Sequence, residues 1–263
     1  MRAAAAIVLA VSSVTLASED PALDQREHER LAEPFDAVGQ LSGMGTGTLI
    51  AEDWVLTAAH VADFFRMRRV SPIEFEINGK TYAVEEVVVH PDWTPLEQQM
   101  AAVRGGAKYT PGDVALLRLA EPVDGIEPMP LGEYDDDEEI TLVGVGAFIA
   151  DAANGLNPRQ AMGLPRGIKH AGTNTVDRVD TSRNELVISF SAPDDPTATD
   201  HEIGAYVGDS GGPVLAKQRG TWRLIGVMGA VETTDDKMGN YGDEVMATSV
   251  GEIAAWIEQT IID

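Results

Sequence analysis

The chain has 263 residues, of which 43 are acidic and only 19 are Lys or Arg, giving a formal charge of −24. A field of that sign opposes binding to nucleic acid and to anionic membranes, and it favours solubility and cationic substrates. The length suffices to bury a full core, and the absence of cysteine means that this core must stabilise the fold without disulfides.

In chain order, residues 1–17 carry one early charge, Arg2, then an apolar run, then small residues at Ala17-Ser18. The run is too short to span a bilayer and ends in Ser18-Glu19-Asp20, so it reads as a signal peptide. The mature protein is therefore expected to be secreted or periplasmic, with no membrane anchor. An N-terminal segment, residues 18–34, precedes the first β-rich stretch. Leu56-Thr57-Ala58-Ala59-His60 follows, and Phe75 to Tyr82 reads as a hairpin turning at Asn78-Gly79. Residues 84–89 form another β-rich run, and His90 is expected to be structural. Residues 94–110, with Leu96, Met100 and Val103 at helical spacing, suggest a short inserted helix before Gly112-Asp113-Val114-Ala115. The acidic run 135–139 reads as a solvated loop, because consecutive acids lack the spacing of an ion-binding loop. No group of ligating residues has metal-site spacing, so neither a metal nor a cofactor is expected. Further strands fall at 142–145, 186–190 and 224–228, with a second hairpin at 217–222. His170 and His201 fall in expected loops. Ser249 and Glu252 form a capping-box pattern ahead of a helix whose Ile253, Trp256, Ile257 and Ile261 share a face.

Val207-Gly208-Asp209-Ser210-Gly211-Gly212 carries the chemistry. A serine hydroxyl is a poor nucleophile at neutral pH unless an imidazole takes its proton and a carboxylate fixes the imidazole's tautomer. His60, Asp113 and Ser210 supply those three roles, and the Gly208 and Ser210 N–H groups are the candidate oxyanion hole. Chain order separates competing serine hydrolases. None of the five histidines follows Ser210, which excludes the nucleophile elbow of α/β-hydrolases. An acid-first order would start at Asp53 and would need alternating βα units, which the strand pattern does not suggest.

These three motifs, in this order, resemble the trypsin/chymotrypsin-like serine proteases from about Val38 to the C-terminus. The resemblance implies an all-β fold of two antiparallel six-stranded β-barrels of the chymotrypsin type with a C-terminal helix, one barrel over 35–130 and the other within 131–263. It implies roles for His60 as general base and acid, Asp113 as its orienting carboxylate and Ser210 as nucleophile. Asp209 is similar to the buried aspartate that supports the oxyanion loop by pairing with a freed α-amino group. No Arg/Lys-Ile-Val-Gly-Gly junction precedes the first barrel, so the expectation is activity without zymogen cleavage beyond signal removal. Asp209 would then take an internal basic partner, or an amine freed near Arg26 or Arg30. The resemblance also places Gly204 at the base of the primary pocket, Gly229-Ala230-Val231 along the substrate backbone and Val245 as a further wall. An uncharged base narrowed by Val231 implies cleavage after small or medium apolar residues, unless Asp243 or Glu244 reaches the pocket. Gly229 stands where the family usually keeps a serine supporting the catalytic aspartate. The implied protein is a monomeric endopeptidase acting on protein or peptide substrates. A catalytically silent binding protein and a serine esterase on the same scaffold are the alternatives.

Overall fold

The computed structural model describes residues 21–102, 111–136, 139–148 and 155–262. The expected signal peptide lies outside the described residues, as do 103–110 of the insertion and 137–138 of the acidic run. The chain opens with helix α1 (Pro21–Ala32) and then forms six strands: β1 (Val38–Leu41), β2 (Gly45–Ala51), β3 (Trp54–Thr57), β4 (Glu74–Ile77), β5 (Lys80–Val89) and β6 (Ala115–Leu119). They close into a barrel in the order β1-β2-β3-β6-β5-β4, antiparallel throughout. Alternation explains β4, where Glu74 and Glu76 face solvent while Phe75 and Ile77 are buried. The Asn78-Gly79 turn forms as expected, with both residues at positive φ. Phe65, Phe75, Leu41, Leu56 and Leu116 fill the interior.

Helix α2 (Ala59–Arg68) leaves the barrel directly after β3, and helix α3 (Leu96–Ala102) is the expected insertion. Buried Asp63 of α2 ties the insertion down, accepting from Trp93 Nε1 and from the Leu96 N–H at 2.9 Å each.

The second half contains β7 (Glu139–Gly144), helix α4 (Pro158–Met162), β8 (His170–Thr175), β9 (Arg178–Asp180), β10 (Glu185–Ser189), β11 (Pro213–Gln218), β12 (Thr221–Glu232) and β13 (Glu244–Ser249). These strands form one seven-stranded sheet in the order β8-β7-β11-β12-β13-β10-β9. It curls like a barrel, but where β8 approaches β10 a side chain makes the link. Buried Asn174 of β8 donates through Nδ2 to the Ser189 and Ile203 carbonyls at 3.0 Å each. Ile140, Leu186, Ile188, Val214 and Ile225 form a second core beneath this sheet.

Two local expectations are corrected. Ser249 caps nothing: it is the last residue of β13, paired with Gly226. A short 3-10 turn (Gly251–Ile253) then leads into α5 (Ala254–Ile262), with Val250 at the turn's N-cap and no side-chain cap. The ladder claims the serine before the helix can. His170 is not in a loop but begins β8, and it is buried. His90 is structural as expected, its ring edge-on to Trp256 at 4.8 Å. No described helix is long and apolar enough to cross a membrane.

Candidate active site

The first half of the site is built by β3, α2 and β6. The chain passes from β3 straight into α2, which has Ala58 at its N-cap and no side-chain cap. The first N–H groups of a helix lack intrahelical partners. Asp113, two residues before β6 and 1% exposed, fills that need: its Oδ1 accepts the His60 N–H at 2.8 Å. Its other oxygen faces His60 Nδ1 at 2.7 Å. One carboxylate thus fixes both the backbone and the ring of His60, selecting the tautomer with the proton on Nδ1. Burial works to lower the His60 pKa, but the charge and hydrogen bond of Asp113, with Asp63 behind, outweigh it and raise the value.

The second half is the turn 206–212. The Asp209 N–H donates to Tyr206 O at 3.0 Å, the Gly211 N–H to Met228 O at 2.7 Å and the Gly212 N–H to Asp209 O at 2.8 Å. Among the described residues, the Gly208 and Ser210 N–H groups have no acceptor. Gly208 sits at φ 102°, and a Cβ there would lie 2.8 Å from Gly146 Cα and 2.9 Å from Arg166 Cδ. Ser210 Oγ rests 3.5 Å from Gly229 O.

The two halves lock together at Gly211 and Thr46. Gly211 has φ 84°, and a Cβ there would lie 2.1 Å from Thr57 Oγ1 and 2.3 Å from Thr46 O. The serine turn is therefore seated directly on the β3–α2 junction that carries His60. Fully buried Thr46 of β2 donates through Oγ1 to Gly208 O at 2.8 Å and accepts there from the Val145 N–H at 3.2 Å. Its N–H donates to Ser210 O at 2.9 Å, and its carbonyl accepts from Thr57 Oγ1 at 2.8 Å. Sequence reading missed Thr46; a small polar residue within a buried strand was its only trace.

Asp209 is 1% exposed and has three donors. Its Oδ2 accepts from the Tyr206 N–H at 2.8 Å, while Oδ1 accepts from the Gly146 N–H at 2.8 Å and lies 3.2 Å from His170 Nε2. The basic partner of Asp209 is thus His170, which the sequence had placed in a loop.

Gly204 is buried, and a Cβ on it would meet the Phe190 ring at 3.3–3.5 Å. Phe190 in turn contacts the Tyr241 ring at 5.0 Å. On β12, Gly229 is buried and bulged, Ala230 and Val231 are half-buried, and Val231 pairs across to Val245 of β13. The two acids that the sequence offered as pocket charges are held differently. Glu244 is clamped by both terminal nitrogens of Arg178 at 2.7 and 2.8 Å, which lowers its pKa. Asp243 is buried, with Oδ2 accepting from the Gly239 and Asn240 N–H groups at 2.8 and 3.1 Å, while Oδ1 has no hydrogen-bond partner among the described residues; burial raises its pKa.

Vitamin K-dependent protein C of Mus musculus is 28% identical over 230 residues, covering 82% of this chain and 45% of that protein. The protein C of Oryctolagus cuniculus is 27% identical over 246 residues, with 81% and 45% covered. Tryptase of Mus musculus is 29% identical over 204 residues, with 69% and 67% covered. The chain spans about half the length of the protein C relatives it matches. The family model described as Trypsin matches residues 23–257, nearly the whole sequence, and the chain belongs to the trypsin family.

Proposed function

We propose that the chain is a secreted or periplasmic serine endopeptidase with His60, Asp113 and Ser210 as its triad, working as one catalytic unit of two halves, 35–130 and 131–263. The observation that carries the reading is the pair of N–H groups without an acceptor, Gly208 and Ser210, in a turn where the Tyr206, Asp209, Gly211 and Gly212 N–H groups are bonded, seated against the helix that presents His60. His60, protonated on Nδ1 by its bond to Asp113, takes the Ser210 proton on Nε2 as Oγ attacks the scissile carbonyl carbon. The carbonyl oxygen gains the electron pair and accepts from the two free N–H groups. Collapse breaks the C–N bond, the amine leaves with the proton held by His60, and water repeats the sequence to release the acid.

Small or medium apolar side chains suit the primary pocket. An uncharged Gly204 base under the Phe190 ring gives a lysine or arginine head no partner, which costs several kcal/mol. Each matched methylene stabilises by about 0.8 kcal/mol. The leader-like residues 1–17 support export, and the strong negative charge argues against nucleic-acid partners. The protein is taken as a monomer acting on protein or peptide chains.

Treatment with a fluorophosphonate followed by intact mass spectrometry tests the triad. One adduct is expected, lost in Ser210→Ala and much slowed in His60→Ala; undiminished labelling in both variants refutes it. Cleavage-site profiling on a mixed peptide pool tests the pocket, and a dominant Arg or Lys signal before the cut overturns the apolar assignment.

A further inference from the structure

Asp209 presents a problem of charge. It is a carboxylate 1% exposed, and a buried ion without a counter-charge is strongly destabilising. The basic group at its side is His170, 3% exposed, which faces an acceptor with each ring nitrogen: Nε2 meets Asp209 Oδ1 at 3.2 Å and Nδ1 meets Ile168 O at 3.2 Å. A neutral imidazole has one N–H and can satisfy only one of those acceptors, whereas an imidazolium satisfies both.

The surroundings keep that ring in place. Phe148 lies between His170 and His28 of α1, with ring centroids 5.6 and 5.3 Å away. His28, also buried, bonds through Nδ1 to the carbonyl of Ala171, the residue after His170, at 2.7 Å. Gln25 and Glu29 of α1 close a cavity of about 70 Å³ whose other walls include Gly146, Ile168 and His170. Among the described residues, the charged groups acting on His170 are Asp209 from the serine turn and Glu29 from α1, with His28 on the far side of the Phe148 ring. The neighbouring Lys169 turns away to Phe35 O at 2.7 Å.

We propose that His170 is the positioning residue of the oxyanion turn: as an imidazolium under the α1 helix it holds Asp209, and through Asp209 it sets the Gly208 N–H, with no chain terminus required. This rests on Gly208 and Ser210 being the oxyanion donors. Burial opposes the charge on His170, yet the charge and hydrogen bond of Asp209, the Ile168 carbonyl and Glu29 prevail and raise its pKa. Because the folded value is raised, the pairing is complete below the ordinary histidine pKa and is lost as pH rises through the raised one. Activity should therefore have an alkaline limb that belongs to His170.

The test compares the full chain with His170→Ala and His170→Gln. Removing the ring should lower kcat by about 10²-fold, the scale of a lost oxyanion donor, with KM little changed. Added imidazole should restore kcat saturably in His170→Ala, since the vacated ring joins an existing cavity, and His170→Gln should lose the alkaline limb. Unchanged kcat, loss without rescue by imidazole, or an unaltered alkaline limb in His170→Gln overturns the proposal. Should either variant fail to fold, ring ¹⁵N–¹H spectra of the intact Ser210→Ala protein decide: both His170 nitrogens protonated at pH 6 supports the assignment, and a neutral ring refutes it. Failure of the triad itself would show separately, as activity surviving in Ser210→Ala with the His170 spectrum unchanged.

Discussion

Replacing Thr46 by valine removes one oxygen and keeps the shape of the side chain. That oxygen donates to Gly208 O and accepts from the Val145 N–H, and all three groups are enclosed between the two halves of the molecule. Valine would leave a carbonyl and an N–H buried without partners, at about 1–3 kcal/mol each. The Val145 contact is the longer at 3.2 Å, so the sum should fall near 2–4 kcal/mol. Thr46→Ser keeps the oxygen and loses a methyl, costing about 1 kcal/mol in transfer. Urea unfolding of both variants in a Ser210→Ala background, which prevents self-digestion, should rank serine above valine. In the active background, Thr46→Val should also lower kcat/KM by about tenfold or more, because Gly208 is then held from one side only. A valine variant as stable and as active as the serine variant would show that Thr46 does not position the turn.

Asp113→Asn should fold normally yet lose about 10⁴-fold in turnover, because an amide favours the wrong His60 tautomer; a loss below tenfold in initial-rate assays would contradict that role. Since the His60 pKa is raised and the base must be neutral, kcat/KM of the wild type should climb with pH through a value above the ordinary histidine pKa, and an acid limb below it would be inconsistent with the pairing to Asp113. Gly211→Ala should be severely destabilised or inactive by thermal melting and assay, given the approach of Thr57 Oγ1 and a φ of 84°; near-wild-type behaviour would refute the docking described. Buried Glu185 has its pKa pushed up to about 7, first by burial, so the folded protein binds its proton more tightly than the unfolded chain and stability falls as pH rises from about 4.5 to 7. Glu185→Gln should accordingly raise the melting temperature more at pH 8 than at pH 5, and an equal effect at both would count against it.

His60 and Ser210 were legible because each stands in a contiguous run whose small neighbours the proposed chemistry requires. Asp113 was legible because it heads an apolar strand. Thr46 and His170 were not, since each acts on a partner brought near only by folding, and a buried polar residue in a strand leaves no periodic signature. Thr46 reaches Gly208 across 162 residues of sequence. The Asn78-Gly79 hairpin was readable from two residues because its turn is a local matter of backbone angles. Ser249 misled for the opposite reason: its capping pattern is local, but the pairing of β13 with β12 takes precedence. The side-chain link through Asn174, in place of a backbone ladder, had no sequence signal.

The seat of α1 has a consequence for when the molecule becomes competent. His28 belongs to the earliest described helix, yet its partner Ala171 lies 143 residues later. At a synthesis rate of about 5–20 residues per second, the helix waits about 7–30 s for the strand it rests on. The first barrel, with His60 and Asp113 already paired, can close well within that interval. The serine turn and His170 come later, because β8 and the turn itself follow that barrel in the chain. On the proposed triad, a growing chain would therefore hold its base and acid before its nucleophile, and its earliest segment would meet its later strands only after the first barrel is complete.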